Sequence, residues 1–292
     1  MDTVRYLQLD VFAEHAGGGN PLGVVLGAAG WNDATMQRFA RWTGLVETTF
    51  LLPPTQPDAS YRVRIFTPQR EIAFAGHPTI GSAHAALETG FVANHSERIV
   101  QECGAGLLPI HVAHDAQGRL LSVQAPRARA LEPEVLHAKL VRAILDRTPL
   151  GALPPGFVEG GRRWWIAEFA EETTLRQWQP DHAAIARLAK ASDSLGLCVF
   201  ARCNQSDYEV AVRAFPAGVG IAEDPASGAA NGLIAAWIAA GEPDGPLARG
   251  YRVSQGREIG HDARIGIRIE ADGTVWVGGR THTVVDGRAF WR

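Results

Sequence analysis

Two short turns carry the residue types in this chain best suited to acid–base chemistry. The first reads Gly76-His77-Pro78-Thr79-Ile80-Gly81-Ser82-Ala83, the second Asp224-Pro225-Ala226-Ser227-Gly228-Ala229-Ala230. Both fit one pattern, [His/Asp]-Pro-x-x-Gly-[Ser/Ala]-Ala. An imidazole titrates close to neutrality and can take or give a proton. A carboxylate can orient a polar or amino group. Proline is favoured at the first helical position, which predicts helices starting at Pro78 and Pro225 with His77 and Asp224 as N-caps. Aspartate caps well and histidine poorly, so capping accounts for Asp224 and leaves His77 without a structural reason. Small residues in the first turns leave backbone N–H groups open, and a helix start carries about +0.5 of a charge that attracts anions. Gly76, Thr79, Ser227, Gly228 and Ala229 are therefore candidate substrate-binding residues for a small carboxylate gripped from both starts. Asn20, in the turn Ala16-Gly17-Gly18-Gly19-Asn20-Pro21, joins them because glycines let backbone approach a ligand.

The elements around the turns repeat as well. Upstream lie strand-like runs, Arg64-Ile65-Phe66 and Arg213-Ala214-Phe215, 149 residues apart in a chain of 292. Downstream, Ile80, Ala83 and Leu87 form one helical face and Leu233, Trp237 and Ala240 another, with Gly90 and Gly241 as left-handed stops. Strands are expected at 4–12, 22–26, 47–52, 107–113, 119–124, 163–167, 197–200, 263–269, 274–277 and 281–285. Helices are expected over Asp33–Trp42, 133–145 and 181–191, and Pro126–Glu134 reads as a linker. Strand-rich halves, each with a helix after the shared turn, predict an α+β fold of two lobes, 1–125 completed by 281–292 and 126–280.

Composition excludes several classes. Hydrophobic residues at 46% and charged residues at 20% are those of an ordinary globular protein. A net charge of −3 gives no footprint for nucleic acid. No apolar run approaches the ~18 residues that span a bilayer, and the opening residues lack the pattern of a secretory signal. Cys103, Cys198 and Cys203 are odd in number without C-x-x-C spacing, in keeping with a cytoplasmic setting. No metal is expected: His77 and His84 would stand about 10 Å apart along a helix, and His111 and His114 would point to opposite faces of a strand. No dinucleotide fingerprint, Walker loop or nucleophile elbow is present. Acid–base work without a cofactor is the chemistry left open.

Taken together and in order, several segments resemble the phenazine-biosynthesis isomerase (PhzF-like) family, which shares the diaminopimelate epimerase fold. They are Asp10-Val11-Phe12, Gly19-Asn20-Pro21-Leu22, Glu47-Thr48-Thr49-Phe50, Arg64-Ile65-Phe66-Thr67-Pro68, Phe74-Ala75-Gly76-His77-Pro78-Thr79, Glu223-Asp224-Pro225-Ala226 and Ser254-Gln255-Gly256. The resemblance covers nearly the whole chain. It implies pseudo-symmetric lobes, each a curved, mostly antiparallel sheet around a central helix, with a cofactor-free site in a cleft and a homodimer. By spacing alone Glu47 is one of 31 acidic residues, most of them solvated surface charges; the resemblance makes it the principal acid/base, helped by His77 and Asp224. The implied reaction is a proton shift within a small unsaturated or amino carboxylic acid. The rivals are an amino- or hydroxy-acid epimerase or racemase, whose relatives use a cysteine from each half that neither motif carries here, and a non-catalytic acid-binding protein. Val46 and Ala229 stand where the family often has serine. Ala229→Ser should therefore tighten binding of a simple carboxylate, by roughly 0.5–1.5 kcal/mol for a restored hydrogen bond, or leave it unchanged. Calorimetric titration decides, and loss of binding in Ala229→Ser would displace the carboxylate from this turn.

Overall fold

Alternation of Leu7, Leu9 and Val11 buries one face of the opening strand, Asp2–Val11. The structure, a computed structural model, describes residues 2–93, 97–205 and 207–291. The chain folds as two units, Met1–Gln124 with Gly278–Arg292, and Ala125–Val277. Each is α+β.

In the first unit the strands Asp2–Val11, Asn20–Leu26, Thr48–Leu52, Tyr61–Phe66, Arg98–Cys103, Gly106–Asp115 and Gly118–Gln124 pair in chain order. The first five pairings run antiparallel, parallel, antiparallel, parallel, antiparallel. Thr281–Trp291 adds to the opening strand in antiparallel register, Val11 opposite Thr281. Arg292 lies outside the described residues. In the second unit Gly156–Gly160, Arg162–Phe169, Leu197–Arg202, Val210–Phe215, Gly250–Gln255 and Ala263–Ile269 repeat the same alternation. Helices fall at matching places. Asp33–Thr43 and His182–Ala191 each precede the third strand of their unit, while Gly76–Glu88 and Gly228–Gly241 each join two parallel-paired strands.

The repeat extends to side chains. Arg64 grips Glu71 through Nε and Nη2 at 2.8 and 2.6 Å, and Arg213 grips Glu223 through the same atoms, both at 2.9 Å. Each guanidinium also lies 5.2 Å from the ring of the phenylalanine two residues on, Phe66 or Phe215.

The outer helix of the first unit follows its sequence pattern: Asn32 caps it, and Met36, Phe39 and Ala40 are buried. They meet Val4, Val25, Phe50 and Phe66 from one sheet face. The opposite face meets the Gly76–Glu88 helix, which is buried from His77 through Leu87. The expected one-sided apolar stripe gives way to a helix apolar or small nearly all round, as enclosure by strands demands. Gly81 shows how close the approach is: a Cβ there would stand 2.4 Å from Leu22 Cδ2 and 2.9 Å from Val11 Cγ2. A side chain at this position would have to displace packed strand residues.

Three local expectations are corrected. The first helix starts at Gly76 with Ala75 as N-cap, so His77 lies inside the helix and Pro78 occupies a first-turn position that needs no intrahelical N–H bond. The second starts at Gly228 with Ser227 as cap, because the Ser227 hydroxyl accepts from Ala230 N–H; Asp224 lies upstream of the helix. Gly241 is helical and is not a left-handed stop, Glu242 forming the C-cap. In addition, Arg129–Leu131 within the expected linker is a strand, since its backbone pairs with Phe157–Glu159.

Burial separates the two arginine clamps. Arg213 and Glu223 side chains are 5% and 6% exposed, Arg64 and Glu71 16% and 42%. Removing one partner of a buried pair strips a charge of its main compensation, and Arg213 would keep the Glu258 carboxylate only at 3.9 Å. Glu223→Gln should therefore cost roughly 3 kcal/mol of stability, and Glu71→Gln at most about 1 kcal/mol. Denaturant midpoints of the two variants check this; equal losses would show that burial does not distinguish the clamps.

Candidate active site

Glu47 is fixed from both sides by backbone chemistry. The Asp33–Thr43 helix ends at Gly44, and the Thr43 hydroxyl donates to Ala40 O at 2.8 Å while lying 2.9 Å from the Thr48 hydroxyl. That contact folds the short loop back so that Glu47 immediately precedes the strand Thr48–Leu52. Its carbonyl accepts from Gly23 N–H at 3.4 Å.

His77 is fixed by the central helix, and the helix by buried hydroxyls and amides. Ser82 Oγ donates to Thr49 Oγ1 at 2.9 Å, two residues along the chain from Glu47. Thr79 Oγ1 donates to Ala75 O at 2.9 Å and accepts from Gln101 Nε2 at 3.0 Å, and Gln101 Oε1 accepts from the Tyr61 hydroxyl at 3.0 Å. Thr79, expected to contact substrate, is thus committed to holding the helix start.

These ties bring His77 Nε2 to 3.3 Å from Glu47 Oε2, with side chains 8% and 12% exposed. The two atoms face each other without the alignment of a formed hydrogen bond. Catalytic contacts often tighten only when substrate is bound. Burial lowers the His77 pKa to about 3. With its charged form disfavoured by lost solvation, the ring is neutral at pH 7. A neutral imidazole beside a carboxyl group can pass a proton either way. The N–H groups of Gly76 and His77 have no protein acceptor among the described residues, whereas Thr79 N–H is bonded to Ala75 O.

Asn20 is fully buried at the start of its strand, opposite Val11. The neighbouring Asp10 carboxylate accepts from Gly17 N–H at 2.6 Å and so closes the glycine turn.

In the second unit Asp224 N–H bonds Ala214 O at 2.9 Å, and the Asp224 carboxylate accepts from Ala226 N–H at 3.2 Å in an Asx-turn. Ser227 N–H donates to Gln255 Oε1. Only Gly228 and Ala229 keep N–H groups without a protein acceptor in this turn, among the described residues. The expected run of open donors at each helix start therefore narrows to a pair in each unit.

The cysteines are poor candidates for acid–base work. Burial raises the pKa of Cys103 and Cys198, and pushes Cys203 up to about 12. A racemase chemistry based on paired thiolates has no support in these groups. Among the described residues no three His, Cys, Asp or Glu side chains come together as metal ligands would, and no helix is long and apolar enough to cross a membrane. Sequence reasoning missed Gln101 and Ser82. Their partners lie 22 to 40 residues away for Gln101 and 33 away for Ser82, beyond any local pattern.

Comparison with known proteins places this arrangement. A family profile described as phenazine biosynthesis-like protein (PhzC-PhzF) matches residues 9–289. The chain is 30% identical to antisense-enhancing sequence 1 of Schizosaccharomyces pombe, covering 99% of this chain and all of the relative. It is also 30% identical to trans-2,3-dihydro-3-hydroxyanthranilate isomerase of Pseudomonas aeruginosa, over 98% of this chain and 99% of that enzyme. A crystal structure of the Bacillus anthracis phenazine biosynthesis protein of the PhzF family superposes with a TM-score of 0.87 at 24% identity, covering 99% and 100% of the two chains. The protein is an enzyme of the isomerase class. It belongs to the phenazine biosynthesis-like PhzC-PhzF family.

Buried neutral histidines give stability a pH signature. His77 at about 3 and His84 at about 4 are both lowered first by burial. For each, the unfolded chain, titrating near 6.5, binds the proton that the folded chain refuses. Their stabilising contribution is thus complete above about pH 6.5 and is lost as pH falls towards the folded values, with a slope of up to ~1.4 kcal/mol per pH unit per group. Unfolding free energy should fall between pH 6.5 and 4.5, and His84→Gln should flatten that fall; an unchanged slope in the variant would refute the assignment.

Proposed function

We propose that this isomerase moves a proton between two positions of a small carboxylic acid, with Glu47 as the acid/base that contacts the reacting carbon. The observation that carries the reading is the 3.3 Å approach of Glu47 Oε2 to a buried, neutral His77. Glu47 takes a proton from a carbon activated by the carboxylate and by unsaturation, and the electron pair shifts through the conjugated system towards the carboxylate. The proton returns at a different carbon, from Glu47 or by way of His77. Atoms and charge balance with no second reactant. The open N–H groups of Gly76 and His77, at the positive end of the central helix, stabilise the negative charge that develops. In the second unit we assign Asp224 the orienting of a polar or amino group, with Ser227, Gly228 and Ala229 in its binding turn; the repeat of the motif and the family resemblance support these roles. No residue in this scheme requires a metal or organic cofactor.

The P. aeruginosa relative is named for trans-2,3-dihydro-3-hydroxyanthranilate, an unsaturated amino acid of the chemical kind this scheme accepts. That compound, alongside simpler unsaturated and amino acids, is the starting panel. In deuterium oxide the wild-type chain should place deuterium at a new carbon of the acid it turns over. Deuterium returning only to the carbon it left, with inversion, would indicate epimerisation, and no exchange with binding retained would indicate a binding protein. Glu47→Gln keeps shape and removes the base, so exchange should fall by ~10²–10⁴-fold with binding nearly intact. Wild-type exchange in Glu47→Gln would sink the assignment of Glu47.

A further inference from the structure

The Ser254-Gln255-Gly256 segment ends a strand of the second unit and has no part in the scheme above. Gln255 is completely buried, and every polar atom of its amide is used on one turn. Its Nε2 donates to Asp224 O at 2.8 Å. Its Oε1 accepts from Ser227 N–H at 3.2 Å and from Asn231 Nδ2 at 2.8 Å. Asn231 Nδ2 donates in addition to Ser227 O at 2.9 Å. Only one orientation of each amide satisfies these partners, since a flip of either would set donor against donor or acceptor against acceptor. The next residue closes the contact: Gly256 has φ +92°, and a Cβ there would stand 2.6 Å from Pro225 O. Glycine alone lets the strand end lie against the turn.

The need for such a clamp follows from the imperfect repeat. His77 lies inside the first turn of its helix, with regular helical backbone following it. Asp224 lies outside its helix, upstream of the Ser227 cap, in a turn with no regular hydrogen-bond ladder. A catalytic geometry on such a turn needs support from elsewhere. Gln255 spans the turn, holding the carbonyl of its first residue and the N–H of its last.

We infer that Gln255 is a positioning residue for the reaction, fixing the direction of the Asp224 carboxylate by clamping the backbone of 224–227 without touching substrate. The inference rests on the reading that Asp224 serves the reaction.

The test uses the full chain with Gln255→Met, close in shape and unable to hydrogen-bond, and Gln255→Glu, which keeps the acceptor for Ser227 N–H and Asn231 and loses the donor to Asp224 O. In Gln255→Met, amide exchange at Ser227 should quicken and the Asp224 carboxyl carbon should shift, while the His77 ring signals stay in place. With whichever acid the wild type turns over, kcat should fall by ~10–100-fold and KM by less than about threefold either way, the mark of lost orientation. Gln255→Glu keeps the acceptor side of the clamp and should recover part of kcat. A purely structural glutamine would lower stability while leaving kcat of the folded protein and the Asp224 signal in place. Wild-type kcat in folded Gln255→Met, or an unmoved Asp224 signal in either variant, overturns the inference. If Gln255→Met does not fold, kcat and the Asp224 signal of Gln255→Glu decide in the same way. Asp224→Asn separates the two readings. Wild-type turnover there removes the role of Asp224 and the clamp's purpose with it. An inactive Asp224→Asn beside a fully active Gln255→Met removes the clamp alone.

Discussion

Enclosure of the Gly76–Glu88 helix on every side is the constraint from which the first unit's chemistry follows. A helix in the open could hold a charged histidine at its start, and the proton would then sit on the imidazole. Strands packed around this one leave no room beyond hydrogen at Gly81 and little water around His77. Burial lowers the His77 pKa to about 3, so the imidazole that stands 3.3 Å from Glu47 Oε2 is neutral at pH 7. The outcome is a neutral ring beside an acid group, a pair able to move a proton without first breaking an ion pair.

Such enclosure has a polar cost, and the fold meets it with side chains drawn from distant strands. Thr79, Gln101 and Tyr61 form a chain of buried hydrogen bonds on one side of the helix start, and Ser82 with Thr49 forms another on the side that leads to Glu47. Low dielectric makes each unmet polar group expensive, so these contacts also specify one seating of the helix. Related physics operates in the second unit with different parts, where Asn231 Nδ2 donates to Gln255 Oε1 and both side chains bond the turn they border.

The two units therefore share a pattern of strand pairing and an arginine–glutamate clamp, buried only in the second, while differing at the turn that matters. The first motif begins its helix before the histidine, the second after the aspartate. A capping serine explains the difference. Ser227 offers a hydroxyl to Ala230 N–H and starts the second helix there, whereas the matching position of the first motif is Ile80, which has no hydroxyl to cap with and lies inside its helix.

Much of this was legible in the chain itself. The repeated motif announced two related halves, and the run around Met36, Phe39 and Ala40 announced an outer helix whose buried face is the one observed. Many strands of both halves could be read because side-chain period two and apolar burial are local properties, but Arg98–Cys103, Gly156–Gly160 and Gly250–Gln255 were not among those expected. Helix starts could not be read, since proline tolerates any first-turn position and the choice among Ala75, His77, Asp224 and Ser227 as cap depends on which side chain reaches an N–H. Nor could the strand at Arg129–Leu131, whose composition suits a linker and whose conformation is set by the partner strand at Phe157–Glu159. The sequence by itself determined that a glutamate, a histidine and an aspartate stood in a family-like order. Only tertiary structure decided that Glu47 and His77 meet, because 29 residues separate them along the chain and no local rule measures that distance. The protonation of His77 was likewise decided by the atoms packed around it, since desolvation is a property of the folded interior and of no residue alone.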